Sequence, residues 1–250
     1  MRNRNIDIFI SGAGPAGLLT SLSFASLGYS VFCVDPKKPV TQSNDDGADL
    51  RTTAFLQPAK TFMASLGLWE KLEPFAEPME IMRIIDSAGD NWPPIETTAK
   101  DFLASEISDL PFGWNIPNWL LRRTLLENAM EYSNLELKFG LTTSSIIRRD
   151  DAAFVYLNDG SQIKSKLIIG ADGRDSLVRD KSQIKISKRE FSQVHTRAII
   201  YLALKFLRFK FQKSVSIFVA FHPYYGRARF SFKVCQRYKS KSASRSMYFN

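Results

Sequence analysis

The pattern of apolar positions changes period within the first 35 residues of the chain. Ile6, Ile8, Phe9 and Ile10 form a short β-branched and aromatic run, which predicts a buried strand ending at Ser11. Residues 12–17 carry three glycines and predict a tight turn. Residues 18–27 are apolar and small, and predict a helix stopped by Gly28. A second apolar run, residues 30–34, predicts another strand closed by Asp35-Pro36. A strand, a helix and a strand within about 30 residues imply a βαβ unit with parallel strands.

Further along, Asn44-Asp45-Asp46-Gly47 marks residues 41–49 as a loop. Phe55, Phe62 and Leu66 recur at helical spacing and predict a helix over residues 51–66. Residues 79–86 read as a strand, and residues 90–98, with Trp92-Pro93-Pro94, as irregular. Leu120, Leu121, Leu125 and Ala129 share one side of an amphipathic helix over residues 119–132. Short strands follow at 135–139, 143–149 and 153–157. Asn158-Asp159-Gly160 is a hairpin turn, and residues 162–170 are the return strand. Residues 198–221 are strand-like. The expected class is α/β: a Rossmann-like nucleotide-binding sheet with helices, plus an antiparallel β excursion.

Composition narrows the function classes. No uncharged apolar run of about 18 residues occurs, so no transmembrane helix is expected. The polar start lacks the apolar core of a secretory signal, which predicts a cytoplasmic protein. Cys33 and Cys235 stand far apart, as do His195 and His222, so neither a metal site nor a redox pair is expected. The net charge of +9 hides a split. Through Glu190 there are 22 lysines and arginines against 25 acids, a net −3; the last 60 residues hold 12 basic residues and no acid. About eight acids would be expected there at the frequency of the first part.

Gly12-Ala13-Gly14-Pro15-Ala16-Gly17 is a G-x-G-x-x-G placed between a predicted strand and a predicted helix. In that context Gly12 allows the sharp turn, Gly14 lets a pyrophosphate approach the backbone, and Gly17 lets the helix pack on the sheet. The helix N-terminus offers free N–H groups and the positive end of its dipole. Asp35, 18 residues past Gly17, can hydrogen-bond the hydroxyls of an adenosine ribose and would repel a 2′-phosphate. FAD and NAD share this fingerprint.

Gly170-Ala171-Asp172-Gly173-Arg174-Asp175-Ser176-Leu177-Val178-Arg179 follows an apolar strand and resembles the G-A-D-G-x-x-S-x-V-R motif of class A flavoprotein monooxygenases. Asp49-Leu50-Arg51-Thr52-Thr53-Ala54 resembles the D-x-R-x-x-A of the same family. The segment from Phe112 through Trp119 to Arg122 resembles the lead into the next helix of the ubiquinone-biosynthesis (2-polyprenyl phenol) hydroxylases. The resemblance covers about residues 5–180. It implies FAD bound by Gly12, Ala13, Gly14, Pro15, Ala16, Gly17, Asp35, Arg51, Arg122, Asp172 and Gly173. It also implies NAD(P)H as electron donor, O₂ as oxidant and a phenolic, polyprenylated ring as substrate. Relatives of this kind act peripherally at the inner membrane beside other ubiquinone-biosynthesis enzymes. The resemblance designates no catalytic acid or base.

The expected division is an incomplete FAD-binding domain at 1–181, followed at 182–250 by the start of a substrate domain or an aberrant basic tail. The G-D-A-A-H-like segment with which the family returns to its FAD domain is absent, which implies truncation at the C-terminus. A tail frameshifted from about Val194 would account for the missing acids; a genuine +12 tail would bind anionic surfaces without sequence specificity. Two other readings are a non-catalytic remnant and an NAD-dependent dehydrogenase. The Ala171-Asp172-Gly173 segment and Arg51 speak against the dehydrogenase.

Overall fold

The computed structural model describes residues 3–88, 95–187, 195–200 and 215–220. In chain order the elements are β1 (Asn3–Ser11), α1 (Pro15–Ser26), β2 (Val31–Asp35), β3 (Thr52–Leu56), α2 (Gln57–Ser65), α3 (Trp69–Leu72), β4 (Glu77–Met79), β5 (Ile81–Ala88) and β6 (Ile95–Leu103). They continue with β7 (Gly113–Pro117), α4 (Asn118–Ala129), β8 (Leu135–Phe139), β9 (Thr143–Arg148), β10 (Ala153–Leu157), β11 (Gln162–Gly170), α5 (Leu177–Lys181), β12 (His195–Ile200) and β13 (Val215–Ala220). The chain divides into two units: Met1–Glu77 with Gly113–Ser187, and Pro78–Phe112 with Lys188–Asn250.

The first unit is built on a six-stranded sheet in the order β8-β2-β1-β11-β10-β9. The β8–β2, β2–β1 and β1–β11 pairs are parallel, while β11–β10 and β10–β9 are antiparallel. This is the expected α/β class with its antiparallel excursion. Strand β1 has β2, reached through α1, on one side and the much later β11 on the other, so the strand order reverses at β1. That switch point, beyond the carboxyl ends of parallel strands, is where open α/β sheets bind ligands.

Alternation along β1 and β2 sends side chains into two cores. Ile8, Ile10, Val31 and Cys33 pack with Leu18 and Leu22 of α1 and Leu121 and Leu125 of α4. Phe9, Phe32 and Val34 pack with Val155, Leu157 and Ile163 on the other face. Phe9 and Ile10 are fully buried, and burying a side chain of that size contributes about 2–3 kcal/mol. A strand buried on both faces reads as a continuous apolar run, as residues 8–10 do.

Helix α1 begins with Pro15 in its first turn, where the missing N–H is no loss. It ends before Gly28, whose φ of +85° suits a helix stop. The hydroxyls of Thr20, Ser21 and Ser23 donate to the carbonyls of Ala16, Gly17 and Leu19, so its polar residues are satisfied within the helix. At the opposite end of the sheet, Asp7 accepts hydrogen bonds from Ser30 and Lys166. These contacts hold its carboxyl well below the usual carboxylate range.

Two local expectations are corrected. The helix expected over residues 51–66 starts only at Gln57, because residues 52–56 form β3, paired antiparallel with β7. Phe55 therefore lies on a strand, and its spacing from Phe62 is coincidental. Residues 95–98, expected to be irregular, belong to β6, which pairs antiparallel with β5 in the second unit; residues 90–94 lie outside the described residues. The strand-like reading of residues 198–221 meets β12 and β13, an antiparallel pair; its remaining positions lie outside the described residues.

Candidate functional site

The glycine turn joins β1 to α1, and each of its residues has a distinct task. Gly12 has φ +104°, and a Cβ there would overlap the backbone carbonyl of Ala171. A Cβ on Gly17 would overlap the carbonyl of Gly12. These two glycines allow β1, α1 and the end of β11 to meet. Gly14 differs: a Cβ there would meet nothing within 4 Å. Its bare backbone borders open space at the start of α1, and no side chain caps that helix. Pro15 occupies the first turn, and Ala16 is exposed beside it.

Asp35 braces this turn. Its Oδ2 accepts the N–H of Ala13 at 2.7 Å, and its Oδ1 accepts the N–H of Lys37 at 2.8 Å. Each carboxylate oxygen can accept a further hydrogen bond, so the group can hold the turn and still receive ligand hydroxyls. The Gly12 N–H donates to the Val34 carbonyl, and the Ala171 N–H donates to the Ser11 carbonyl, both at 2.7 Å. Beneath the turn, the Cys33 thiol donates to the Gly12 carbonyl at 3.6 Å. Burial pushes that thiol up to about 12.

The motif at the end of β11 forms a turn capped into α5. Gly170 is small because Val178 packs on its Cα. Gly173 takes φ +89°. Ser176 caps α5, its Oγ accepting the Arg179 N–H at 3.1 Å. Arg179 closes the loop by donating to the Arg174 carbonyl at 3.0 Å. Asp172 Oδ2 accepts the Val178 N–H at 3.1 Å, whereas its Oδ1 is buried with no hydrogen-bond partner. An orphaned carboxylate oxygen is costly; this one lies beside Gly170, and a ligand that donates to it would satisfy it.

A second cluster forms where β3 approaches the start of α4. The carbonyls of Asp49 and Arg51 accept the N–H groups of Trp119 and Asn118. Backbone carbonyls thus satisfy a helix start that lacks a side-chain cap. Asp49 grips Arg51 in two parallel bonds, Nε to Oδ1 and Nη2 to Oδ2, both 2.6 Å. Its Oδ2 also accepts Asn118 Nδ2 at 3.0 Å and Arg122 Nη2 at 3.5 Å. Arg51 beside it holds the Asp49 carboxyl down at about 2, and Asp49 in turn raises the Arg51 guanidinium.

The structure therefore brings Gly12, Ala13, Gly14, Pro15, Ala16, Gly17 and Asp35 together, with Asp172 and Gly173 following directly on Ala171. Arg51 and Arg122 meet in the second cluster. Asp49, which joins those two arginines, and Asn118, which donates to Asp49, were not among the expected site residues. The signal for Asp49 was the D-x-R spacing; for Asn118, its position one helical turn before Arg122.

Comparison with known proteins shows the family and the fold. The profile of the family described as "FAD binding domain" matches residues 5–243, continuing through a stretch in which no motif was legible. The 3-demethoxyubiquinol 3-hydroxylase of Escherichia coli (strain K12) is 25% identical over 194 residues, covering 77% of this chain and 48% of that protein. Ubiquinone hydroxylase UbiL of Rhodospirillum rubrum is 27% identical over 189 residues, covering 75% of this chain and 42% of the relative. The chain spans about half or less of the length of these relatives. Among solved structures, PqsL, a probable FAD-dependent monooxygenase from Pseudomonas aeruginosa, superposes with a TM-score of 0.57. That match is 20% identical and covers 88% of this chain and 57% of PqsL. The flavin-dependent monooxygenase PieE, solved with FAD and substrate, gives a TM-score of 0.57 at 20% identity, over 78% of this chain and 33% of its own. At these identities the likeness carries the fold alone.

Proposed function

The chain belongs to the FAD-binding-domain family, and from that premise we propose that it is the flavin-binding part of an NAD(P)H- and O₂-dependent monooxygenase that hydroxylates a phenolic ring. The observation that carries this reading is the joint geometry at the switch point: an open Gly14 backbone, a braced Asp35 and the unpartnered Asp172 Oδ1. The names of the hydroxylase relatives support a ubiquinone-precursor ring as substrate.

The residues present fit FAD. Gly14 and the first turn of α1 would receive the pyrophosphate, Asp35 the adenosine ribose, and Asp172 with Gly173 a hydroxyl-bearing part of the cofactor. Arg51 and Arg122 supply positive charge for its anionic part. When bound, the flavin supplies the redox and oxygen chemistry of the reaction. The chain's own part is to bind, orient and exclude water: the buried faces of β1, β2 and β11 keep the turn rigid, and the charged clusters fix direction. An acid or base acting on substrate has no candidate among these residues. Residues 182–250 are read as the start of the substrate domain, supported by a family match that extends to residue 243. No helix among the described residues is long and apolar enough to cross a membrane; peripheral attachment at the inner membrane, beside other enzymes of the same pathway, is part of the proposal.

The deciding experiment is the absorbance spectrum of the purified chain, with bound flavin released and quantified. About one FAD per chain, followed by NAD(P)H oxidation that a phenol accelerates, is the expected result. A folded protein that takes up NAD and refuses FAD would replace this reading with a dehydrogenase.

A further inference from the structure

We propose that Asp49 is the positioning residue of the flavin site, acting through Arg51 and, more weakly, through Arg122. This rests on the FAD reading given above and names a residue which that reading does not need. Three observations carry it.

The first is chemical. A guanidinium is a rigid planar fork with five N–H groups. Asp49 takes its Nε/Nη2 edge in a bidentate pair at 2.6 Å on both bonds. That fixes the plane of the group and directs the edge formed by Nη1 and Nη2 away from Asp49. An arginine held by one edge in this way presents the other to an anion without the entropy loss of freezing a free side chain.

The second is burial. The Asp49 side chain is only 9% exposed, while Arg51 is 49% and Arg122 26% exposed. The anchor is inside, Arg51 faces outward and Arg122 is partly buried. A surface ion pair formed for its own sake would have both partners in water and contribute little.

The third is charge. Asp49, Arg51 and Arg122 together carry one negative and two positive charges, a surplus of one positive charge beside a nearly buried carboxylate. Asn118 donates to the same Asp49 oxygen, and its Oδ1 accepts from Thr53 Oγ1 at 2.6 Å. The carboxylate is thereby fixed from strand and helix at once. A cluster so braced, and still cationic, is built to receive an anion, and the anionic group of the proposed cofactor is its pyrophosphate.

The test is a double-mutant cycle on FAD affinity in the full chain, read by flavin fluorescence for the unaltered protein, D49N, R51A and the double variant, with thermal midpoints measured alongside. Positioning predicts that D49N weakens FAD binding about tenfold when Arg51 is present and less than about twofold in the R51A background. Thermal midpoints above the assay temperature in all four proteins exclude unfolding as the cause of any loss of binding. Equal weakening of FAD binding in both backgrounds would show that Asp49 merely supports the fold, and would overturn the proposal. If D49N does not fold, D49E replaces it: the longer arm keeps the charge but displaces the fork, and the same background dependence is required. A folded, unaltered chain that binds no FAD would overturn the flavin reading itself, and the positioning role with it. That result is distinct from a chain that binds FAD and shows an additive cycle.

Discussion

At the scale of single residues, the three glycines of the turn are not equivalent, and their substitution separates folding from binding. Gly12→Ala places a Cβ against the Ala171 carbonyl at φ +104°. It should cost about 2–4 kcal/mol and lower the thermal midpoint sharply. Gly14→Ala meets nothing within 4 Å, so its midpoint should fall by no more than about 1 kcal/mol equivalent. On the proposed reading its FAD binding should nevertheless be lost, because the new methyl group would stand where a pyrophosphate would approach. A Gly14→Ala protein that binds FAD normally would move the phosphate site elsewhere. Asp49 gives a second residue-scale expectation. Its carboxyl lies at about 2 in the folded chain, against 3.8 ordinarily. A lowered value stabilises the fold above the ordinary range, and the contribution disappears as pH falls from about 4 through about 2. With Arg51 half exposed, the effect is of the order of 1 kcal/mol. Denaturant titrations should show the unaltered chain more stable than Asp49→Asn at pH 6, with the difference closing by about pH 2.

At the scale of elements, α5 is capped by Ser176, with Asp172 accepting the next N–H, that of Val178. Ser176→Ala removes the acceptor for the Arg179 N–H and should cost about 1 kcal/mol. The consequence is local: the Val178 N–H that reaches Asp172 comes from the same turn, so hydrogen exchange at Val178 and Arg179 should accelerate while β1 stays protected. Unchanged exchange there would mean that the loop is held by Asp172 and by the Arg179–Arg174 bond, without the Ser176 cap. The same scale shows why some elements were legible in the sequence and others were not. The βαβ unit could be read because its signals are local: an apolar run, glycines at fixed offsets, an acid at the next strand end. Strand β3 was hidden because its partner β7 lies some 60 residues away, with Thr53 opposite Ile116, and pairing overrides a helical period of three residues. Strand β6 was masked by the neighbouring prolines. Asp49 was visible as part of a motif, but its role depends on Asn118 and Arg122 approaching from another element, which spacing cannot show.

At the scale of the molecule, residues 78–112 leave the first unit and return. The Phe112 N–H donates to the Met79 carbonyl at 2.9 Å, so the excursion begins and ends at one point. Insertions with adjoining ends can be replaced at small cost. A chain in which a short Gly/Ser link replaces residues 80–111 should retain cooperative unfolding of the first unit and its FAD affinity. It should also be more soluble, because Ile81 and Ile84 of β5 are half exposed. A non-cooperative melt would show that the two units fold as one.

Cys33 lies fully buried beneath the glycine turn, its thiol raised to about 12 and bonded to the Gly12 carbonyl. A thiol in that state is inert towards alkylating reagents as long as the fold stays closed. Its labelling rate is therefore a clock for opening of the nucleotide cradle, once the other cysteine, Cys235, has been replaced by serine. Whatever ligand fills the cradle should slow that clock in proportion to its occupancy, so one native sulfur atom can rank candidate cofactors without a substrate or a turnover assay.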